Sequence, residues 1–527
     1  MKTSYDVTLI GSGLAGSVTA LLLSKLGYKT LLVEKDTHPR FGLGESSTPI
    51  FSKKIRNLGL EYGVPELVDI SSYDRIMASK EPFLCGPKEL FQYYVHQPGQ
   101  TTAKITDEYP EIIVQVPECD TQFNRAVLDE RLVQYARKYG SDYVDNTELL
   151  DVEFDDQGAH LKLQKKGSEP YELTTRFLVD STGFRSLLAR KFELRIPESE
   201  LDTTLRSRCI FTHFETVGLV EDAMGNDEVF NQRCSVNRWR ATQHHCFDGG
   251  WYWFIPFDNG VTSVGINLDM DKYPMNDRPG EEEFWDFTRR YPIINKMLEG
   301  HKTRMPYIKT GRLQFRTRRA AGDRWALLTS AAVGMDAWFS VGMGMTLISV
   351  HRLVEVLHKH VLPQSDFRAE HFHNYEQSLF TEWYYITRMV DGMYKSFKHF
   401  DIFKYYCFFC FMGAESLVYS GAVRRPHDPT SLMLNVGDPK FVENFMTVYN
   451  RLLECSKKDS VTADEVEFFR SYLLNEMKPF NYRDYGNPIH QGVHYRVPEA
   501  EERRIMEEKM RMATGVASAQ PAMAATG

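Results

Sequence analysis

Three glycines near the N-terminus have the spacing of a phosphate-binding turn. Gly11, Gly13 and Gly16 follow a strand-like apolar segment and precede residues 17–26, whose composition predicts a helix. Glycine at these positions permits a tight turn, close approach of a pyrophosphate and close packing of helix on strand. Glu34 ends the next apolar segment, where it could accept a hydrogen bond from a ribose hydroxyl. The unit predicts dinucleotide binding and leaves FAD and NAD open. Its candidate contacts are Gly11, Ser12, Gly13, Ala15, Gly16, Glu34 and Lys35.

A second polar segment, 41–49, combines glycines with one acid and three hydroxyl side chains. That composition suits a loop lying against a polar ring system, although a solvated linker has a similar composition. The candidate cofactor contacts here are Arg40, which directly precedes the segment, and Glu45 and Ser46 within it.

Two tryptophans, Trp251 and Trp253, lie two residues apart in a segment with strand composition. Side chains at i and i+2 of a strand point to the same face, so the two indoles would form one aromatic wall. Ordinary core packing is the alternative.

Further along the chain, residues 177–186 predict a buried strand, an Asp-x-x-Gly turn at Asp180 and Gly183, and a helix. With the N-terminal unit, this segment resembles the second nucleotide-contacting segment of FAD-dependent aromatic monooxygenases; an ordinary strand-to-helix turn is the alternative. Arg125 opens a helix of the type that presents an arginine to the flavin in those proteins. No second glycine fingerprint follows, which argues against a separate domain for NAD(P)H.

The motif Gly-Trp-x-Trp-x-Ile-Pro at 250–256, with the two glycine-rich segments, resembles the flavin-dependent halogenase family from about residue 4 to 360. The resemblance implies that FAD is supplied as FADH2 by a separate flavin reductase. It also implies that molecular oxygen and bound chloride or bromide yield hypohalous acid, which passes through a tunnel to a lysine beside the substrate. Trp251, Trp253, Ile255 and Pro256 would wall this tunnel and keep the organic substrate from the flavin.

The family places its lysine some thirty-odd residues after the Gly-Glu-Ser turn, on a strand leading toward the tunnel. Lys80 falls there, with apolar neighbours that would lower the pKa of its ammonium. The sequence therefore predicts Lys80 as the catalytic residue. A solvated surface lysine is the alternative reading, and Lys88 is then the next candidate.

Residues 325–343 resemble the third family segment and predict a buried strand, a loop over the flavin and a helix beginning near Gly342. A helix N-terminus with free backbone amides suits an anion, and the resemblance also places halide at Val341 and Gly342. It implies flavin contacts at Asp336 and Met343.

Two departures from the usual pattern affect this segment. Thr329-Ser330 stand where many FAD monooxygenases have Gly-Asp, and Ala337 stands where proline is usual. Phe339 falls where tryptophan-specific relatives carry a glutamate. The resemblance therefore implies a phenol- or pyrrole-type substrate, free or bound to a carrier protein, with Phe339 at the substrate.

The composition excludes several other classes of protein. A net charge of -8 gives no clustered positive field for nucleic acid, and eight irregularly spaced cysteines predict no disulfide framework. No apolar run reaches membrane-spanning length, and structured sequence begins too early for a signal peptide, so a cytoplasmic location is expected. No His/Cys cluster has metal-ligand spacing, so no metal site is predicted.

The expected fold is α/β (α+β): an FAD-binding Rossmann-like βαβ domain interleaved with an antiparallel substrate sheet, followed by a helical C-terminal region. The predicted domains are FAD binding at 1–84, 121–202 and 311–353, a substrate sheet at 85–120 and 203–310, a helical cap at 354–509 and a flexible tail at 510–527. Two alternatives to halogenation stay open: an FAD-dependent hydroxylase or reductase of the same fold, and an inactive flavoprotein that serves as a binding partner.

Overall fold

A computed structural model describes residues 4–102, 111–234, 236–419, 432–483 and 485. The strands, in chain order, are β1 (Ser4–Ile10), β2 (Thr30–Val33), β3 (Cys85–Val95), β4 (Glu111–Phe123), β5 (Asp142–Val144), β6 (Thr147–Phe154), β7 (Ala159–Lys165), β8 (Tyr171–Asp180), β9 (Ser207–Phe214), β10 (Ala241–Phe247), β11 (Gly250–Pro256), β12 (Thr262–Asp269), β13 (Ile308–Lys309), β14 (Phe315–Arg316), β15 (Ala321–Gly322), β16 (Trp325–Leu327) and β17 (Val333–Gly334).

The α-helices, in the same order, are α1 (Leu14–Lys25), α2 (Pro49–Tyr62), α3 (Pro65–Asp69), α4 (Tyr73–Ala78), α5 (Arg125–Lys138), α6 (Leu187–Lys191), α7 (Val220–Ala223), α8 (Glu228–Gln232), α9 (Gly280–Thr288), α10 (Pro292–Leu298), α11 (Thr329–Ala332), α12 (Val341–Val356), α13 (His373–Ser396), α14 (Phe400–Tyr419), α15 (Pro439–Cys455) and α16 (Ala463–Asn475).

One eight-stranded sheet has the spatial order β15-β16-β8-β1-β2-β5, and the β6–β7 hairpin attaches to β8. Strands β16, β8, β1, β2 and β5 run parallel, as expected when helices cross over between strands. Helix α1 joins β1 to β2, so the predicted βαβ unit forms; the helix begins three residues earlier than the composition predicted. Tyr171–Asp180 reaches β1 by pairing directly with it, which explains how a distant segment joins the N-terminal turn.

The second sheet has seven strands in the order β13-β9-β12-β11-β10-β3-β4. Its neighbours run antiparallel except for β3 and β10. Strands β3 and β4 come from between the two parts of the first sheet, so the predicted interleaving and fold class are confirmed. The exact domain bounds stay a prediction.

The described residues after α12 are mainly helical, and α13 and α14 pack their aromatic side chains into the main core. The stretch Trp338–Val361 is long and apolar enough to cross a membrane, and 89% of its apolar window is buried within the fold. That burial is typical of a core helix. The predicted tail, 510–527, lies outside the described residues.

Candidate active site

The glycine turn after β1 closes in a way that only glycine permits. Gly11 has φ +101°, and a Cβ there would lie 2.5 Å from the carbonyl oxygen of Ser181. A Cβ on Gly16 would lie 2.0 Å from the carbonyl oxygen of Gly11. The N-terminus of α1, which no side chain caps, is therefore left facing the space beyond β1, where it suits an anion.

Two arginines converge on this helix end. A Cβ on Gly13 would lie 3.8 Å from Nη2 of Arg40 and 3.9 Å from Nη2 of Arg125. Asp129 holds Arg125 through Nε at 2.9 Å, and Nε of Arg40 is buried without a hydrogen-bond partner among the described residues. Two guanidinium groups at the end of α1 form a donor set that fits a pyrophosphate.

Glu34 lies beside the same turn. Its carboxylate accepts hydrogen bonds from the backbone N–H of Ser12 at 3.0 Å, from the Ser12 hydroxyl at 2.7 Å and from Arg40 at 2.8 Å. Although burial favours the neutral acid, Arg40 and Ser12 lower the pKa of Glu34 to about 2. The group is thus ionised and able to accept from ribose hydroxyls, as predicted for a dinucleotide site.

Other predicted cofactor contacts have different surroundings. Lys35 forms a half-exposed ion pair with Glu148 at 2.6 Å, away from the arginine pair. Asp180 is buried, and its carboxylate accepts hydrogen bonds from the backbone of Thr182 and of Leu188. It therefore fixes the turn that contains Gly183. Ala15 lies in the first turn of α1.

The segment after Arg40 lies between α5 and α12. Arg125 donates to the carbonyl oxygens of Leu43 and Gly44 at 2.5 and 3.1 Å. A Cβ on Gly44 would lie 3.9 Å from Cγ of Met343, in the first turn of α12. Glu45 is buried, with Oε1 2.9 Å from Nε2 of a histidine, His213. Two predicted flavin contacts from separate parts of the chain, Arg125 and Met343, thus lie against one loop, and a third, Glu45, belongs to that loop.

Lys88 in β3 is the lysine that the fold buries beside this loop. It is 0% exposed, and its ammonium donates to Ser46 Oγ at 2.8 Å and to the Ser47 carbonyl oxygen at 2.6 Å. The nitrogen also lies 3.5 Å from the centroid of the Phe91 ring. Burial lowers the pKa of Lys88, while Asp120, directly opposite in β4, acts against that shift. A lysine with a lowered pKa is suited to exchange a proton or to carry an electrophile.

Lys80 does not have the environment that the sequence predicted. The expectation that it lies on a strand among apolar side chains is wrong. It follows helix α4 rather than lying on a strand, and it is exposed, as is the neighbouring Met77. The hydroxyl of Ser72 accepts from the backbone N–H of Arg75 and caps α4, an N-cap signal that the strand prediction overlooked.

The tryptophan pair forms one buried wall on β11. The ring centroids of Trp251 and Trp253 are 5.9 Å apart, and both residues are at most 5% exposed. Trp253 lies on Gly265 of β12, where a Cβ would come within 2.2 Å of its ring, and its N–H donates to Ser263 at 3.1 Å. Ile255 and Pro256, which complete the motif, are buried on the same strand.

The loop before α12 is tied to this wall. Asp336 accepts hydrogen bonds from Ser207 at 2.5 Å, from the backbone N–H of Trp338 at 3.0 Å and from Tyr394 at 2.9 Å. Its carboxylate is therefore engaged within the protein. Burial raises the pKa of Asp336, and these three donors act against that shift. Trp338 in turn packs edge-on against Trp251, with centroids 4.7 Å apart.

Helix α12 begins at Val341, one residue before its predicted start, and no side chain caps its first turn. Val341 is buried, whereas a Cβ on Gly342 would meet no atom within 4 Å. The backbone amides at this end thus border open space on one side, an arrangement that suits a halide ion.

An apolar cavity separates Phe339 and Val341 from α14. The residues that line it include Thr48, Phe91, Val114, Phe339, Val341 and Phe411. Phe91 lies under the Lys88 ammonium and Val341 begins α12, so the cavity adjoins both the buried lysine and the candidate halide site. Its apolar and partly aromatic lining favours an apolar group over a charged one.

One group of possible metal ligands lies elsewhere, where the sequence predicted none. Ligand atoms of Glu61, His351 and Glu355 lie within 4.8 Å of one another. The ammonium of Lys54 is 2.6 Å from Nδ1 of His351, and the ammonium of Lys359 pairs with Glu355. These lysines supply the positive charge that a cation would otherwise bring.

Comparisons with known proteins agree with this geometry. The family described as FAD binding domain matches residues 4–263. The chain is 33% identical over 411 residues to tetracycline 7-halogenase of Kitasatospora aureofaciens, which covers 76% of this chain and 71% of that protein. It is 32% identical over 389 residues to monodechloroaminopyrrolnitrin halogenase PrnC of Pseudomonas fluorescens, covering 71% of this chain and 65% of that protein, just under two thirds of its length.

Among solved structures, halogenase PltM in complex with phloroglucinol and FAD superposes with a TM-score of 0.81. It is 23% identical and covers 90% of this chain and 96% of that chain, a likeness that shows the fold.

The fold and the nucleotide site together define an FAD-binding protein. Within that class, the chain belongs to the flavin-dependent halogenase family. It is an FAD-dependent halogenase and therefore an oxidoreductase. The relatives do not support the hydroxylase, reductase or inactive-flavoprotein alternatives.

Sequence reasoning missed Asp120, Trp338 and Tyr394. Asp120 lies within β4 with no motif around it, and Tyr394 belongs to a helical aromatic stripe that is typical of packing. Period-2 alternation along β3 and β4 could have paired Lys88 with an acid, but their register was not available from the sequence.

Proposed function

We propose that this halogenase acts on an electron-rich aromatic substrate of the phenol or pyrrole type, with Lys88 as its catalytic lysine. The observation that carries the proposal is the position of Lys88, fully buried between the loop at 46–47 and the aromatic cavity. FAD, delivered in its reduced form by the reductase, would supply the oxidising chemistry together with molecular oxygen and halide. The ammonium of Lys88 then hydrogen-bonds hypohalous acid, or its neutral amine accepts the halogen, next to the ring.

The substrate class follows from Phe339. Its ring lines the cavity where a glutamate would activate an indole, so this residue offers packing and no base. A phenol hydroxyl or a pyrrole nitrogen already donates electron density to its own ring, and such a ring needs no activating carboxylate. Free and carrier-bound rings are distinguished by the experiment below.

The halide site at Val341 and Gly342, the wall of Trp251 and Trp253, and a separate flavin reductase complete the proposal. The arginine pair and Glu34 are proposed to hold the FAD pyrophosphate and ribose, and no second nucleotide fingerprint accompanies them. We also propose a cytoplasmic location, where such a reductase and NADH are at hand.

The test uses the full chain with FAD, a flavin reductase, NADH and a panel of phenols, pyrroles and indoles, free and carrier-bound. Products are followed by mass spectrometry with chloride, with bromide and without halide. We expect halide-dependent products from phenols or pyrroles. Halogenation confined to indoles would refute the substrate class.

A further inference from the structure

A tyrosine hydroxyl joins the tryptophan wall to the loop before α12. The indole N–H of Trp251 donates to the Tyr394 hydroxyl at 3.1 Å, and that hydroxyl donates to Oδ2 of Asp336 at 2.9 Å. The three residues are 1%, 5% and 2% exposed. They come from β11, from α13 and from the loop after β17, so the chain of hydrogen bonds links parts of the protein that are distant in sequence.

A hydroxyl suits this connection. The indole N–H of Trp251 can only donate and Oδ2 of Asp336 accepts, so the hydroxyl between them both accepts and donates. Burial and the neighbouring Asp336 raise the pKa of Tyr394, which keeps the hydroxyl protonated. Phenylalanine would preserve the packing of the ring but leave a buried N–H without its acceptor.

The loop that this hydroxyl supports is strained. Phe339 and Ser340 have φ values of 64° and 54°, a left-handed conformation that is unfavourable for residues other than glycine. Asp336 holds the preceding turn through the backbone N–H of Trp338 at 3.0 Å. The indole of Trp338 then meets Trp251 at 90°. The loop and the wall therefore contact each other both through rings and through hydrogen bonds.

We propose that Tyr394 is a positioning residue that keeps the tryptophan wall in register with the loop before α12. This inference rests on the proposed function, because the wall and the loop are taken there to border the path from halide to Lys88. Loosening their contact opens a route by which hypohalous acid leaves before it reaches the substrate. Tyr394 touches neither of the proposed reacting groups, so its effect is on retention of the oxidant.

The first test compares Tyr394→Phe with the unmodified enzyme, both supplied with FAD, a flavin reductase, NADH, bromide and a panel compound that the unmodified enzyme brominates. We expect oxygen consumption to stay within about twofold. We expect the ratio of brominated product to oxygen consumed to fall about tenfold. That change corresponds to about 1.4 kcal/mol in the balance between reaction of the oxidant with the substrate and its escape from the protein. The missing oxidant is expected as hypobromous acid trapped by added taurine. An unchanged ratio would overturn the proposal.

Tyr375→Phe provides the matched control. Tyr375 is also buried in α13, and its hydroxyl donates to the Leu327 carbonyl oxygen at 2.6 Å, away from the wall. The Tyr375→Phe variant loses a comparable buried hydrogen bond, so any change in its product ratio reflects loss of stability alone. A fall in the product ratio equal to that of Tyr394→Phe would contradict a specific role for Tyr394.

A second measurement does not depend on catalysis. The near-ultraviolet circular dichroism of FAD-free protein is recorded for Tyr394→Phe, Trp251→Phe and the double variant. If Tyr394 positions Trp251, the spectral change caused by Tyr394→Phe will largely vanish in the Trp251→Phe background. Equal changes in both backgrounds would refute the positioning role. Failure to halogenate any panel compound would instead count against the proposed substrate class, because this spectral result does not require turnover.

Discussion

Replacing Lys88 with methionine separates the chemistry of this residue from its packing. Lys88→Met keeps most of the length of the side chain but removes the ammonium that donates to Ser46 and Ser47. A positioned acid or base contributes about 10²–10⁴ to a rate. We therefore expect halogenated product, measured by mass spectrometry, to fall at least about 100-fold, while oxygen consumption by the reduced flavin continues.

The same substitution alters stability through Asp120. This acid is 1% exposed, Ser52 donates to its Oδ1 at 2.5 Å, and its Oδ2 has no hydrogen-bond partner among the described residues. Burial raises the pKa of Asp120, and the charge of Lys88 acts against that shift. Removal of Lys88 is therefore expected to raise the pKa of Asp120 further. Ionised Asp120 would then lack its cation, at a cost of about 3–5 kcal/mol.

The sign of the pH dependence follows from this shift. A carboxyl with a raised folded-state pKa stabilises the fold fully below its unfolded pKa of about 3.9, and this contribution is lost as pH rises through the folded-state pKa. Denaturant unfolding of Lys88→Met should thus show a growing deficit relative to the unmodified protein once the pH exceeds the pKa of Asp120 in the unmodified protein, which burial already raises. The double variant with Asp120→Asn should lose this trend.

Lys80→Met is the matched control, since Lys80 is exposed and far less constrained. It is expected to leave both product formation and the pH dependence of unfolding unchanged. Normal halogenation by Lys88→Met, or loss of halogenation in Lys80→Met, would refute the assignment of the buried lysine.

Two further predictions concern the wall and the nucleotide site. Gly265→Ala places a Cβ 2.2 Å from the Trp253 ring, so we expect about 1–3 kcal/mol of destabilisation in denaturant unfolding and a shifted tryptophan spectrum. Gly311→Ala, with no atom within 4 Å, is its control, and equal effects of the two would contradict the clash. The pKa of Glu34 is lowered to about 2, so about 3 kcal/mol of stability is present above the unfolded pKa of about 4.3 and lost as pH falls toward 2. Glu34→Gln should abolish that acid-dependent part, and an unaltered acid profile of unfolding would show that Glu34 does not supply it.

The parts of the site that the sequence predicts are those with local causes. The glycine turn needs its spacing because of contacts within one βαβ unit, and the tryptophans share a face because they are two residues apart on one strand. Arg125 opens α5 as expected. Such features depend on neighbouring residues, so their pattern is present in the sequence itself.

The sequence does not identify Lys88 as the buried lysine, because the residues around Lys88 are distant from it in sequence. Lys88 is buried by a loop forty residues before it and by Asp120 on the adjacent strand, and both contacts depend on the register of β3 and β4. Lys80 has apolar neighbours in sequence, but a capped short helix turns it toward solvent. The number of residues from a motif does not tell Lys80 from Lys88, because the pairing of strands decides which of them is buried.

The loop before α12 shows why the predicted halide site depends on tertiary contacts. Neither Phe339 nor Ser340 is a glycine, yet both adopt left-handed backbone conformations, which cost about 1–3 kcal/mol each. Local preference would instead extend α12 backwards through these residues. The hydrogen bonds to Asp336 and the burial of Trp338 offset that cost and stop the helix at Val341. The free amides at the start of α12 thus exist because the wall and α13 hold the loop, so the proposed halide site and the tunnel wall are parts of one structure.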